Sequence, residues 1–283
     1  MKRGEVILDL NFVKRYSDEL KEMNDGKKGR PFKITNSFIL FLAIFRYVFS
    51  VRFRQLEGLT IALSKIFPIL PRIDYSWIRR RMMRLGIDLS PLKALRDSRE
   101  PVTIVLDSTG VKAHRAGSWL ERKYGRRRRY VKIHVAVNLK TGEIVDIEIT
   151  RDEVRDSKVA ERMVDRVAKV IEISRVIADG AYDSIRLYRS LESMGIEPVI
   201  KPRKNARTDR GPPSRRSAVR MIRYYGYDIW RRIVGYGSRW MVETVISVFK
   251  SILGEEVLSS KPKWVKVEIV QKAFIYNLLL NAV

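Results

Sequence analysis

The sequence predicts an α/β protein in which a mixed β-sheet with flanking helices follows a helical N-terminal region. Three β-branched segments follow one another between residues 102 and 150, before the first helical pattern of this region. Helical and strand patterns then alternate as far as residue 200. Residues 1–98, in contrast, show mainly helical periodicity. Consecutive strands followed by alternating helices and strands are typical of a mixed sheet with helices on both faces.

The N-terminal region contains three segments with helical patterns. Residues 38–48 are mainly apolar, residues 53–67 are amphipathic, and a third segment runs to Leu85. Ser76 is the predicted N-cap of this third helix, because a serine hydroxyl can accept a hydrogen bond from a free backbone N–H of the first turn.

The third helix has a basic face. Ile78, Met82 and Leu85 share one side at helical spacing, which leaves arginines, among them Arg79 and Arg80, on the other side. This pattern indicates a helix-turn-helix-like unit whose last helix approaches DNA. The alternative is the basic face of an ordinary helical bundle.

The second region contains the predicted sheet. Its strands and helices follow in the order β-β-β-α-β-α-β, at about 102–107, 130–138, 144–150, 157–170, 175–179, 184–194 and 196–200. A basic stretch that contains Pro212 and Pro213, at about 202–235, interrupts this pattern before a helix that carries Glu243. A final amphipathic helix, at about 263–282, is expected to close the domain. The predicted domains are therefore 1–98 and 99–283.

Two aspartates end predicted strands. Asp107 follows the run that begins at residue 102, and Asp179 follows the run that begins at residue 175. Glu243 lies on a helix whose apolar side would pack on a core. Two aspartates and one glutamate provide the hard oxygen ligands that Mg²⁺ prefers. Only the fold can bring these acids together, because 72 and 64 residues separate them in the chain.

Other acids compete for these roles. Asp183 lies close to Asp179, and Asp156 precedes a helical pattern, so we expect both to be N-caps. Asp146 and Glu148 alternate with apolar residues and are predicted to face solvent. These four acids are therefore left out of the predicted metal site.

The spacing around Glu243 is the most informative local motif. It reads Tyr-x2-Arg-x3-Glu-x6-Lys and consists of Tyr236, Arg239, Glu243 and Lys250. Arg239, Glu243 and Lys250 share one stripe of a helix, so the carboxylate lies between two cations. That arrangement suits a metal ligand beside a phosphate. For Tyr236 the alternative role is that of a core aromatic.

The net charge of the chain favours a nucleic-acid partner. Lysine and arginine number 57 against 32 acids, which gives a net charge of +25. Residues 201–240 hold 12 basic residues against two acids, and Arg126–Arg129 form a run next to a predicted strand. Neutralisation of phosphates by such residues supplies most non-specific affinity for DNA.

Composition also excludes several classes of site. The chain has no cysteine and two histidines, so disulfides and cysteine-based zinc sites are excluded. The longest apolar run, residues 38–45, is too short to span a bilayer. We expect a cytoplasmic, nucleoid-associated protein.

The order Asp107, Asp179, Glu243, together with the motif around the glutamate, resembles the DDE transposases of prokaryotic insertion sequences. LDSTG carries the first aspartate, YVKIHVAVNLKTGEIVDIEIT resembles that family's second and third strands, RDSKVAERMV resembles the following helix, and ADGAYDS carries the second aspartate. GRPFKI, FRQLEGL and DYSWIRRRMMRL resemble the family's helical DNA-binding region. One departure is Gly180, where many relatives have lysine.

The resemblance implies a ribonuclease-H-like catalytic domain and phosphoryl transfer with Mg²⁺ or Mn²⁺, using two ions. Asp107 would bridge both ions, while Asp179 and Glu243 would hold one each. The implied product is a DNA end joined to target DNA without a covalent protein intermediate.

DNA contacts are predicted at residues of both domains. These residues are Tyr236, Arg239, Lys250, Lys132, Arg79, Arg80, Arg126 and Arg127. Lys132 shares a strand face with His134, and a satisfied strand-surface pair is an equal alternative. Trp230 or Trp240 would stack on an unpaired terminal base, although a buried indole is also predicted for Trp240.

The sequence thus predicts a DNA transposase that binds the terminal inverted repeats of its element, cleaves the ends and joins the 3′-hydroxyl ends to target DNA. Its partner is double-stranded DNA, and a homodimer is expected in the complex. The alternatives are a ribonuclease-H-like nuclease without strand transfer and a non-catalytic DNA-binding repressor. The intact acid set argues against the repressor, because acids repel phosphate.

Overall fold

A computed structural model describes residues 2–87, 89, 100–113, 130–150, 154–259 and 261–281. The chain divides into two compact units. The first comprises residues 1–88, 251–254 and 261–283, and the second comprises residues 89–250 and 255–260.

Twelve α-helices and six strands lie in the described ranges. In chain order they are α1 (Lys2–Ile7), α2 (Asn11–Lys14), α3 (Tyr16–Asn24), α4 (Asn36–Val48), α5 (Phe53–Ile66), α6 (Tyr75–Arg84), β1 (Val102–Ala113), β2 (Tyr130–Asn138), β3 (Ile144–Thr150), α7 (Asp156–Ala168), β4 (Ile173–Ala178), α8 (Ile185–Ser193), β5 (Glu197–Ile200), α9 (Pro213–Tyr225), α10 (Tyr227–Ile233), α11 (Trp240–Leu253), β6 (Glu256–Val257) and α12 (Pro262–Asn281). None of these helices combines the length and the apolar composition that a membrane span requires.

The first unit is helical, as its sequence predicts. Phe38 and Leu42 of α4 pack in its core and are fully buried. Helix α12 belongs to the same unit, although we expected it to close the sheet domain. Gln271 of α12 accepts a hydrogen bond from the Tyr47 hydroxyl at 2.7 Å and donates one to the Met82 carbonyl at 2.6 Å. Buried hydrogen bonds of this kind tie α12 to α4 and α6.

Helix α12 is not amphipathic, and this corrects its prediction. Its buried residues include polar side chains, namely Glu268, Gln271, Lys272 and Asn277, as well as apolar ones. Glu268 and Lys272 lie 3.9 Å apart across one helical turn. Since both polar and apolar side chains of α12 are buried, the helix is enclosed on more than one face.

The start of α6 also differs from its prediction. Asp74 is the N-cap, and its carboxylate accepts a hydrogen bond from the backbone N–H of Ser76 at 2.8 Å. Ile78 and Met82 are fully buried, as the helical spacing predicts. The basic residues of this helix therefore lie mainly on its other side.

The second unit is built on one mixed sheet of order β3-β2-β1-β4-β5, in which β6 pairs with the far end of β1. Strands β4 and β5 run parallel to β1, and β2 runs antiparallel to it. Strand β3 is antiparallel to β2 and therefore has the same direction as β1. This topology is that of a ribonuclease-H-like fold, so the predicted fold class is confirmed. The core includes Ile104, Leu106, Val159, Met163, Val176 and Leu187.

Strand β1 is twice as long as predicted. It runs from Val102 to Ala113, so Asp107 lies in the middle of the strand and not at its end. The pairing with β4 stops at Leu106, whereas the pairing with β2 continues from Asp107 to Lys112. Asp107 is therefore the residue at which β1 loses one neighbour, which opens space on that side of the strand.

Helix α7 covers the side of β3 that was predicted to face solvent. Asp146 and Glu148 both bind Arg166 at 2.7 Å, and Glu148 also pairs with Arg162. Their side chains are only 17% exposed. The prediction failed because the arginines that cover these acids lie 14 to 20 residues away in the chain.

Candidate active site

The sheet places Asp107 and Asp179 next to each other. Strands β1 and β4 are parallel, and their last paired residues are Leu106 and Ala178. Each aspartate directly follows one of these residues, and neighbouring strands lie about 4.8 Å apart. The Asp107 carboxylate accepts a hydrogen bond from the N–H of Ser108, at 2.8 Å. The two aspartates therefore stand at neighbouring positions, where the pairing of β1 with β4 ends.

Helix α11 brings the third acid to the same place through Arg239. The Arg239 guanidinium lies 3.5 Å from Oδ2 of Asp107 and forms an ion pair with the Glu243 carboxylate. The Glu243 side chain is 56% exposed, whereas that of Asp107 is 18% exposed. Val242 and Phe249 are buried and hold the helix on its core. One cation thus connects the acid of the strand with the acid of the helix.

The charges of this site act on Asp107. Burial raises the pKa of the Asp107 carboxyl, and the nearby carboxylates of Asp179 and Glu243 raise it further. The N–H of Ser108 and the Arg239 guanidinium act in the opposite direction. The net direction is upward, because burial of the Asp107 carboxyl outweighs the stabilisation that Ser108 and Arg239 give to its charged form.

The donor set fits a divalent cation. In the described ranges, no three His, Cys, Asp or Glu side chains stand close enough to hold a metal ion as they are. Between Asp107 and Glu243 the positive charge is that of the Arg239 guanidinium. The carboxylate oxygens of Asp107, Asp179 and Glu243 are the ligand type that Mg²⁺ and Mn²⁺ select.

Lys250 lies beside the same strand. Its ammonium donates a hydrogen bond to the Thr109 hydroxyl at 2.7 Å, two residues beyond Asp107. Alternate residues of a strand share one face, so Thr109 and Asp107 lie on the same side of β1. The structure therefore brings Lys250 and Arg239 to the face that carries the acids.

Tyr236 is buried. Its side chain is 5% exposed and its ring lies 5.0 Å from that of Trp230, and burial raises the pKa of its hydroxyl above the usual range. The structure thus favours the core-aromatic role, which the sequence left as the alternative. The buried indole predicted for Trp240 is wrong, because Trp240 is 57% exposed, whereas Trp230 is 1% exposed.

Lys132 and His134 lie under helix α7. Lys132 forms an ion pair with Asp156, and His134 is 1% exposed with its Nε2 atom 2.8 Å from the Thr150 hydroxyl. Asp156 is the first residue of α7 and does not cap it; its second oxygen accepts a hydrogen bond from Ser108 at 3.3 Å. Lys132 is therefore paired within the fold, whereas His134 is buried and its Nδ1 atom has no hydrogen-bond partner among the described residues. The cap prediction for Asp156 is wrong.

Asp183 is not a cap either. Its carboxylate binds the Arg215 guanidinium at 2.6 and 3.0 Å and accepts a hydrogen bond from the N–H of Arg203 at 2.9 Å. The Asp183 side chain is fully buried, and that of Arg215 is 9% exposed. Both oxygens are therefore committed to the basic insertion, which leaves Asp179 as the acid beside Asp107.

Sequence reasoning missed a cation beside Gly180. The Arg203 guanidinium donates hydrogen bonds to the carbonyl oxygens of Gly180 and Ala181, at 3.2 and 3.4 Å. Arg203 is 24 residues from Asp179 in the chain, so no local spacing indicates this contact. Arg203, in the loop after β5, thus lies beside the residue that follows the second aspartate.

The remaining predicted DNA contacts lie elsewhere. Arg79 and Arg80 are exposed on α6, and the Arg80 guanidinium lies 4.5 Å from the Trp77 ring. Arg126 and Arg127 lie outside the described residues. The role of all four in DNA binding stays a prediction.

Known proteins share these features of fold and sequence. Two family models, both described as Transposase DDE domain, match residues 98–278 and 1–116. Among solved structures, the piggyBac transposase in a synaptic complex with hairpin DNA is 11% identical, with a TM-score of 0.47 over 98% of this chain and 73% of that chain. The Mos1 transposase in a paired-end complex with the left transposon end is 9% identical, with a TM-score of 0.25 over 96% and 85%.

The family assignment follows from the family models and not from these distant structures. The model that matches residues 98–278 covers more than half of the chain, including Asp107, Asp179 and Glu243. The chain therefore belongs to the Transposase DDE domain family and is a metal-dependent DNA transposase.

Proposed function

We propose that this transposase binds the terminal inverted repeats of a prokaryotic insertion sequence, cleaves at the ends and joins the 3′-hydroxyl ends to target DNA. The observation that carries the proposal is the position of three acids around the point where the pairing of β1 with β4 ends. Asp107 and Asp179 follow the last paired residues of β1 and β4, and Arg239 connects Asp107 to Glu243. A homodimer on DNA, located at the nucleoid, is part of this proposal.

Asp107, Asp179 and Glu243 would hold Mg²⁺ or Mn²⁺ as two ions. When bound, the ions supply activation of a water or 3′-hydroxyl nucleophile and stabilisation of the leaving oxygen. Burial of Asp107 and the like charges around it disfavour its ionised form, so binding of a cation relieves an unfavourable charge.

Arg239 and Lys250 would orient the DNA. The Arg239 guanidinium is planar and can bind two phosphate oxygens at once, whereas the Lys250 ammonium acts as a point charge. Both cations lie on the face of β1 that carries Asp107. Phosphates beside the scissile bond would replace the carboxylate and hydroxyl partners that these side chains have in the present structure.

The proposal is tested with Asp107→Asn and Glu243→Gln. Each change should reduce cleavage of a labelled duplex that carries the DNA flanking the reading frame to background, in Mg²⁺ and in Mn²⁺. Duplex binding should be unchanged or tighter, because a repulsive charge is lost. The matched control is Glu197→Gln on β5, an exposed acid paired with Arg175, which should cleave normally.

The same assay separates the alternatives. Cleavage without joining by the unmutated protein, with authentic ends, would identify a nuclease. Binding without cleavage in either metal would identify a DNA-binding repressor. Normal cleavage by Asp107→Asn would refute the proposed site itself.

A further inference from the structure

Helix α9, in the basic insertion, is held firmly on its inner side. Arg215 forms the buried ion pair with Asp183, and Val219 one turn later is 4% exposed. Arg223 donates a hydrogen bond to the Ala206 carbonyl at 3.1 Å. Gly211, with φ +98°, precedes the helix, and a Cβ there would lie 2.9 Å from Cδ of Arg215. These contacts of the inner face therefore fix the position of α9 on the rest of the unit.

The outer face of α9 has a different composition. Arg216, Arg220 and Tyr224 follow one another at i, i+4 and i+8, so they form one stripe along the helix. With Met221 and Tyr225 they line an open groove of about 420 Å³. Tyr224 is 81% exposed and Tyr225 is 64% exposed.

The two arginines of this stripe are available for a ligand. Among the described residues, no carboxylate lies within ion-pair distance of Arg216 or Arg220. In the same unit Arg162 and Arg166, in contrast, bind acids. Two unpaired guanidinium groups next to exposed phenol rings indicate an anionic partner that also offers apolar surface.

We propose that the outer face of α9 binds the phosphate backbone of duplex DNA. Residues at i and i+4 have Cβ atoms about 5–6 Å apart, which allows the two arginines to reach successive phosphates of one strand. Tyrosine side chains add hydrogen bonds to phosphate and contact with sugars. A second copy of this chain is a poor occupant, because it carries a net charge of +25.

This inference rests on the proposed function only in taking DNA as the substrate. The site adds a contact outside the acid set, on an insertion that follows β5. The DNA could be the end of the element or the target, since both have the same backbone. Two duplex probes distinguish these sources, one with the DNA flanking the reading frame and one of random sequence.

The test uses the full chain with Arg216→Ala and Arg220→Ala combined. Binding to each duplex is measured without divalent metal over a range of salt concentrations. Each lost phosphate contact lowers the slope of log K against log salt by about 0.9, so the double variant should lose about 1.8 in slope. Tyr224→Ala should weaken binding and leave the slope unchanged, because it removes no charge.

The control removes two exposed arginines from α8, as Arg186→Ala with Arg189→Ala; Arg186 is paired with Glu161. It should keep the slope of the unmutated protein. Loss of slope with the flanking duplex alone assigns α9 to the element end, and loss with both duplexes assigns it to backbone binding in general. Either result supports the inference, whereas an unchanged slope with both probes, or an equal loss in the α8 control, overturns it.

Cleavage is recorded separately in Mg²⁺. If the unmutated protein cleaves and the double variant keeps the unmutated salt slope, the α9 site is disproved and the proposed function is not. If the unmutated protein never cleaves and the salt slope of the double variant falls, the proposed function is disproved and the α9 site is not.

Discussion

Asp179 and Asp183 lie four residues apart, and the structure predicts opposite consequences when each is changed to asparagine. Asp179→Asn should abolish DNA cleavage and leave the stability of the second unit nearly unchanged. Asp183→Asn should destabilise that unit strongly, because its carboxylate is the buried partner of Arg215. Any activity that Asp183→Asn loses should follow the fraction of protein that unfolds.

The expected magnitudes come from the contacts of each acid. Removal of one partner from a buried ion pair costs about 3–5 kcal/mol, because the other charge stays buried and unpaired. Asp179 is half-buried and accepts one hydrogen bond, from the N–H of Ala181 at 2.9 Å, which an amide oxygen can also accept. Its change should therefore cost less than about 1 kcal/mol. Replacing the pair together, as Asp183→Leu with Arg215→Met, should recover most of the loss.

Urea unfolding measures this difference. Trp230 is 1% exposed in the second unit, so its fluorescence changes when that unit unfolds. With an m-value of about 2 kcal/mol/M, Asp183→Asn should lower the midpoint by about 1.5–2.5 M. Cleavage by each variant is assayed at low temperature, where both are folded. A folded, inactive Asp183→Asn together with an active Asp179→Asn would refute the assignment of the second acid.

Three further predictions concern DNA. Arg239→Ala and Lys250→Ala should reduce strand transfer more than first nicking, because both cations would hold the cleaved end. Strand transfer is measured with pre-cleaved ends and a plasmid target. Equal losses of transfer and nicking would indicate that the two residues only support the structure. Arg79→Ala with Arg80→Ala should cost about 1–3 kcal/mol of discrimination per lost base contact, measured by competition between flanking and random duplexes; equal weakening on both would indicate phosphate contacts. Chelation of divalent ions should stop cleavage and leave duplex binding unchanged. Cleavage that persists after chelation would refute the role of Asp107, Asp179 and Glu243 as metal ligands.

The elements of the sheet could be predicted because each has a local signal. The β-branched runs before Asp107 and Asp179 mark β1 and β4, and helical spacing marks the buried side of α11. The end of β1 could not be predicted in the same way. Its second half is stabilised by pairing with β2 and β6, and the latter lies more than 140 residues away. Strand length beyond Asp107 is thus a property of the assembled sheet.

Most of the wrong predictions around the site concern acids whose ion-pair partners are distant in the chain. Asp156 and Asp183 each precede a helical pattern, which is the local signature of an N-cap. Their actual partners, Lys132 and Arg215, lie 24 and 32 residues away. Propensity describes the isolated segment, whereas these carboxylates are buried by the fold and take the nearest strong donors.

The assignment of α12 to the helical unit has a consequence for synthesis of the chain. Tyr47 and Gln271 form a buried hydrogen bond across 224 residues. At about 5–20 residues per second, a ribosome needs roughly 10–45 s to travel from one to the other. During this interval the amino-terminal helices have emerged without the helix that completes their core, while the whole sheet is produced. The nascent helices therefore expose apolar surface to chaperones until translation is nearly finished, and a fragment that stops before α12 should aggregate.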